Sequence, residues 1–144
     1  MEEESLAVSG DPRLGALVRD NQGAIVVAVS ARMQDEPAMG EMAQQRMLSA
    51  RDLVSQVAGF WVKAVMSDVS MGSEAALREN LNWSVRFARG QKLAFSSDMY
   101  CRYFDWVCEE VASRSSDAAQ IEILERYRLR GQALIHELVE PQLA

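Results

Sequence analysis

One histidine, two cysteines and a group of aromatic side chains are what this chain brings to chemistry. His136 falls near the end of the last predicted helix, where a polar or charged ring suits the helix C-terminus. A single histidine can also hold the metal of a haem or corrinoid, which makes His136 the cofactor-binding candidate of a tetrapyrrole reading. Cys101 and Cys108 have no histidine at a usable sequence position, so they read as core filling rather than nucleophiles. Seven residues separate them, about 10.5 Å along a helix, too far for a bridge within it. Glu109 and Glu110 are adjacent and diverge by about 100° on a helix, so they do not converge on one substrate. Zinc-ligand spacing, phosphate loops, dinucleotide-binding glycines, nucleophile elbows and HExxH are absent. The expectation is a protein that is not an enzyme and has no metal site.

Six aromatic residues remain: Trp83, Phe87, Tyr100, Tyr103, Phe104 and Trp106. They line an apolar ligand pocket, or they supply core and interface area. All lie between Glu74 and Arg114, a stretch that also holds both cysteines and reads as a helical hairpin with aromatic facing sides. Arg86, Arg89 and Lys92 gather at the end of its first arm, where positive charge opposes the helix dipole. An anion pocket is the sharper alternative for them.

The other elements must hold that hairpin. Residues 1–10 read as a flexible acidic lead-in and 11–144 as one helical domain. Asp11-Pro12 opens a helix with a capping acid and a proline at its first position. Leu14, Leu17, Val18, Ile25, Val29 and Met33 continue it on helical spacing. The run Ala24 to Val29 has strand-like density, but its flanks stay on the helical period. Gly23 marks a kink or a close helix contact, and Asp35-Glu36-Pro37 ends the helix. A second helix is expected from about Gly40 to Met66, with Met42, Met47, Val54, Trp61 and Val65 on one side. Its nearby methionines fill gaps or form an adaptable binding surface. Ser67 to Ser73 is expected as a loop, with Ser73 capping a third helix that carries Leu77, Leu81, Val85 and Ala88 in line and stops at Gly90. The fourth helix, capped by Ser96 or Ser97, is apolar on two sides. Polar residues from Ser113 onward separate it from the last, about Ala118 to Leu138, which Glu122 and Arg126 support as an ion pair and Pro141 closes. The fold class is therefore all-α: a compact antiparallel bundle of about five helices.

With 144 residues and 49% hydrophobic content the chain can bury one core. Its 21 acidic against 15 basic residues disfavour a surface that tracks phosphates, so nucleic acid is not an expected direct partner. No apolar run nears the roughly 20 residues that span a bilayer. The acidic start, Glu2-Glu3-Glu4, is unlike a signal peptide. A cytoplasmic location without membrane contact is expected, and two free cysteines fit a reducing compartment.

The layout resembles the helical N-terminal sensory domains of RsbR-type stressosome proteins and of PucR-type transcription regulators. The likeness spans residues 14 to 112. It rests on the opening helix Leu14-Gly15-Ala16-Leu17-Val18-Arg19-Asp20-Asn21, the break at Asp35-Glu36-Pro37, the apolar segment Val57 to Val65, and the pair joined by Arg89-Gly90-Gln91-Lys92-Leu93. The resemblance implies a non-enzymatic sensory or regulatory domain, in some cases globin-like without haem. Such a domain homodimerises and controls an attached or partner output module, a regulatory protein. No output module follows in this chain, so an excised domain or a stand-alone relative is expected. The alternative is a small-molecule or tetrapyrrole-binding bundle holding haem or a corrinoid.

Overall fold

A computed structural model describes residues 10–143, and all regular structure among them is helical. The helices are α1 (Pro12–Asp20), α2 (Gln22–Met33), α3 (Pro37–Gln45), α4 (Ala50–Met71), α5 (Ala75–Gln91), α6 (Ser97–Ala112) and α7 (Ala118–Leu138). A four-residue turn of helix, α8 (Glu140–Leu143), follows. The acidic lead-in up to residue 9 lies outside the described residues. No helix among those described is long and apolar enough to cross a membrane.

Seven helices replace the five expected because two long segments are broken. The first breaks at Asn21, whose side-chain amide donates to the Leu17 carbonyl at 2.8 Å and competes with the helical ladder. Gly23, the expected kink or contact, stands just inside α2, and nothing approaches the position its Cβ would take. The second long segment breaks between Arg46 and Ser49. There Met47 takes a left-handed conformation (φ 56°), and the Leu48 N–H donates back to the Ala43 carbonyl at 2.9 Å. Ser49 then caps α4 by accepting from the Asp52 N–H at 3.1 Å.

The expected loop from Ser67 to Ser73 is helix as far as Met71. Gly72, left-handed at φ 69°, ends it. Gly90 does not end the next helix. α5 runs through it to Gln91, and Lys92 takes the left-handed capping position (φ 54°). A lysine there bears a Cβ clash that glycine lacks, while Gly90 spends backbone entropy at an unobstructed helical site. Lys92→Gly and Gly90→Ala are each expected to raise the unfolding free energy by about 1 kcal/mol, read from the midpoint shift in urea denaturation.

The 22-residue α4 is the hub. It packs against α1, α2, α3, α5, α6 and α7. Leu53, Val54, Ala58, Trp61, Val62, Val65 and Val69 are all buried on it. α6 is the second buried helix, as its two apolar sides predict: it buries Met99, Tyr100, Tyr103, Phe104, Val107 and Val111 and packs on α2, α4 and α7. α5 buries the expected line Leu77, Leu81, Val85 and Ala88 against α4 and α7. α5 and α6 themselves hardly pack on each other. The hairpin is splayed, and the space between its arms is shared with α3 and α4.

Asp68, within the stretch expected as a loop, is a buried acid on α4. Its carboxylate accepts from the Ala76 and Leu77 N–H groups, both at 2.9 Å, and from the Tyr127 hydroxyl at 2.6 Å. One side chain of α4 thus caps α5 and ties in α7.

Candidate functional site

The splayed hairpin encloses a cavity of about 180 Å³. α3 contributes Met39 and Met42, α4 contributes Leu53 and Trp61, and α5 contributes Trp83, Ser84 and Phe87. Phe95 from the connector and Met99, Tyr100 and Tyr103 from α6 complete the inner wall. Helical spacing explains this local arrangement. Tyr100 and Tyr103 are three apart, as are Met39 and Met42, and Trp83 and Phe87 are four apart, so each pair shares a face.

Ring geometry makes the wall a connected aromatic surface. Trp83 and Phe87 stack with centroids 5.4 Å apart and planes 6° from parallel. Tyr100 meets Phe95 edge to face at 5.9 Å and Trp61 at 6.0 Å. At the mouth, Phe60 is 57% and Trp83 49% exposed, with their rings 6.3 Å apart. The Arg46 guanidinium lies 5.6 Å from the Phe87 ring centroid, a cation–π distance.

Arg46, Gln56, Asn80, Ser84, Tyr100 and Tyr103 are the lining residues with polar groups, a minority in an otherwise apolar wall, as in pockets that orient a largely apolar ligand. Ser84 Oγ and the Tyr100 hydroxyl share a hydrogen bond of 2.6 Å. Burial pushes the Tyr100 phenol up to about 12, partly offset by that bond. The Tyr103 hydroxyl is buried and has no hydrogen-bond partner among the described residues. Its acidity is also depressed, first by burial and then by the nearby Glu36 carboxylate. Both phenols remain neutral donors near pH 7.

Four of the six aromatic candidates therefore meet here: Trp83, Phe87, Tyr100 and Tyr103. The other two point elsewhere. Phe104 packs on Trp61 and Tyr127, and Trp106 lies between Tyr103 and the Arg32 guanidinium, 5.0 Å from its ring centroid. Met39, Met42, Arg46, Trp61 and Phe95 join the site from other segments. Only the methionine cluster had signalled such a role, through its adaptable side chains. Of that cluster, Met33 is buried away from the cavity and Met47 is 92% exposed.

His136 does not line the cavity. Its Nε2 lies 3.8 Å from Cys101 Sγ and its Nδ1 3.5 Å from Glu140 Oε2. The fold thus supplies the histidine neighbour that Cys101 lacked in sequence, in a thiol–imidazole–carboxylate order. Electrostatics disarm the arrangement. Burial, then the carboxylates of Asp105, Asp98 and Glu140, push the Cys101 thiol up to about 11, so it stays protonated and poorly nucleophilic near neutrality. Cys108 is buried in the core, and burial raises its thiol further. No group of three or more metal-ligating side chains occurs among the described residues.

The tetrapyrrole reading does not fit these residues. A cavity of about 180 Å³ is close in size to the roughly 150 Å³ engineered space that takes benzene, and its one histidine candidate stands outside it. Compared with protein-family models, with curated proteins and with solved structures, the chain matches none.

Proposed function

We propose that this chain is a non-enzymatic sensory domain whose signal is a small, largely apolar molecule held between α3, α4, α5 and α6. The carrying observation is the cavity itself: about 180 Å³, walled by aromatic rings and methionines, with one buried hydroxyl left unpaired. Empty apolar space of this size costs stability, because its lining loses dispersion contacts. A ligand restores them. The sensory role is the one implied by the resemblance to stressosome and PucR-type input domains, and a globin-like course without haem belongs to that reading.

Output follows through self-association. Phe60 and Trp83 wall the cavity and also stand exposed at its mouth. A second copy pairing over this aromatic patch senses whether the space beneath is filled. The homodimer then acts on an attached or partner regulatory module in the cytoplasm.

Indole serves as a neutral probe of suitable size. The melting temperature is expected to rise with indole concentration, as linkage requires of a ligand that binds only the folded state. Sedimentation equilibrium is expected to give a dimer that Phe60→Ser with Trp83→Ser converts to monomer. The absence of any dose-dependent shift up to the solubility of indole removes the ligand role; a strictly monomeric wild type at high concentration removes the pairing.

A further inference from the structure

The polar groups around the cavity narrow the class of molecule it takes, an inference that rests on the ligand-binding reading above. We propose that the ligand is a small aromatic carboxylic acid of one or two rings, its carboxylate held by Arg46 and its ring system between the Met39/Met42 wall and the Trp83–Phe87 stack.

Among the described residues, Arg46 is the one charged side chain that lines the cavity. Most arginines of this acidic chain are committed to carboxylates. Arg102 makes a bidentate pair with Glu36 at 2.8 to 3.0 Å, Arg130 pairs with Glu74 at 2.8 Å, and Arg32 with Glu109 at 2.7 Å. Arg46 makes no side-chain hydrogen bond or ion pair among the described residues. It rests instead over the Phe87 ring, at 5.6 Å from the centroid, with its fork of donors available to a planar carboxylate. An exposed guanidinium beside an aromatic wall selects a molecule that is flat and apolar at one end and anionic at the other.

The Tyr103 hydroxyl supplies a second, independent selection. Tyr103 lines the cavity; its hydroxyl oxygen lies closed off behind that wall with no partner among the described residues, and a shift of the side chain brings it to a ligand. A buried donor left unpaired is costly, and an acceptor atom on the ligand removes that cost. The preferred acid accordingly carries a ring hydroxyl or carbonyl remote from its carboxylate.

Isothermal titration of the full chain tests this with 2-naphthoate, its uncharged amide 2-naphthamide, and 6-hydroxy-2-naphthoate. The acid is expected to bind at least tenfold more tightly than the amide, and Arg46→Gln is expected to erase that difference. The hydroxylated acid is expected to bind more tightly than 2-naphthoate, an advantage lost in Tyr103→Phe. Circular dichroism melting of both variants without ligand checks that they fold, and Tyr103→Phe is expected to melt no lower than wild type. Equal binding of acid and amide overturns the carboxylate assignment while the cavity's ligand role stands. Indole failing together with all three naphthyl probes overturns both.

Discussion

Asp68→Ala is expected to destabilise the domain by about 3–5 kcal/mol, since it leaves two buried donors unpaired at about 1–3 kcal/mol each and removes a helix cap. The orphaned donors are the Leu77 N–H and the Tyr127 hydroxyl, which now reach Asp68 Oδ2 at 2.9 and 2.6 Å. Adding Tyr127→Phe removes one orphan and should recover part of the loss in urea denaturation. Recovery by neither this change nor any other apolar substitution at Tyr127 would deny the hydroxyl its role.

The same carboxyl carries a pH signature. Burial raises its pKa above 3.8; the hydrogen bonds from Tyr127, Ala76 and Leu77 lower it, and the charge of Glu74 adds slightly to the rise. With the folded value above the unfolded one, Asp68's linkage contribution is complete below pH 3.8 and is lost as pH climbs through the raised value. Glu125 has the opposite sense, its pKa lowered chiefly by its hydrogen bond from Arg128. Subtracting the profile of Asp68→Asn from that of wild type isolates the Asp68 part, which should decline with rising pH.

Gly131→Ala is the second large effect, with an expected loss of about 2 kcal/mol after allowing for alanine's better helix propensity. A Cβ at Gly131 on α7 would drive into the Cε2 and Cζ atoms of Phe104 and crowd Leu77 Cδ2 at 3.0 Å. Phe104 cannot retreat freely, because Trp61 lies 6.3 Å and Tyr127 5.4 Å from its ring centroid. Phe104→Leu in the Gly131→Ala background should restore stability relative to the sum of the single changes, measured as a double-mutant cycle.

Sequence was informative where periodicity and capping chemistry decide the structure. Hydrophobic spacing identified the buried line of α5 and the two-sided burial of α6, because 3.6-residue periodicity reports which face meets the core. Capping chemistry identified Asp11, the Ser96/Ser97 pair of which Ser96 is the cap, and the end of the first segment at Asp35-Glu36-Pro37. The missed breaks involve residues with no special signature. Met47 and Lys92 are left-handed where the next residue's N–H closes back on the helix, Leu48 on Ala43 and Leu93 on Ala88, while Gly90, the better chemical candidate, stays within its helix. The burial of Asp68 was illegible because its partners come from α5 and α7, 8 to 59 residues away.

The cavity was half legible for a related reason. Trp83, Phe87, Tyr100 and Tyr103 announced an aromatic surface, but the sense in which two neighbouring helices fail to close has no sequence marker. Phe104 and Trp106 lie four and three residues from Tyr100 and Tyr103, on spacings that share a face, yet Phe104 packs on Tyr127 and Trp106 on Arg32, which spacing alone does not reveal. Cys101 and His136 met only through the docking of α7 on α6.

The shortness of α3 has a kinetic consequence. Its nine residues lie between two chain breaks and bury Ala38, Met39, Met42 and Ala43 almost entirely against α4. A segment with so little apolar area opens at a free energy well below that of the whole domain. Met39 and Met42 leave with it, so such an opening widens the mouth that Phe60 and Trp83 already give the cavity. For a molecule held as proposed, exchange needs at most the local opening of one short helix, so the lifetime of the bound state would be decoupled from the lifetime of the fold.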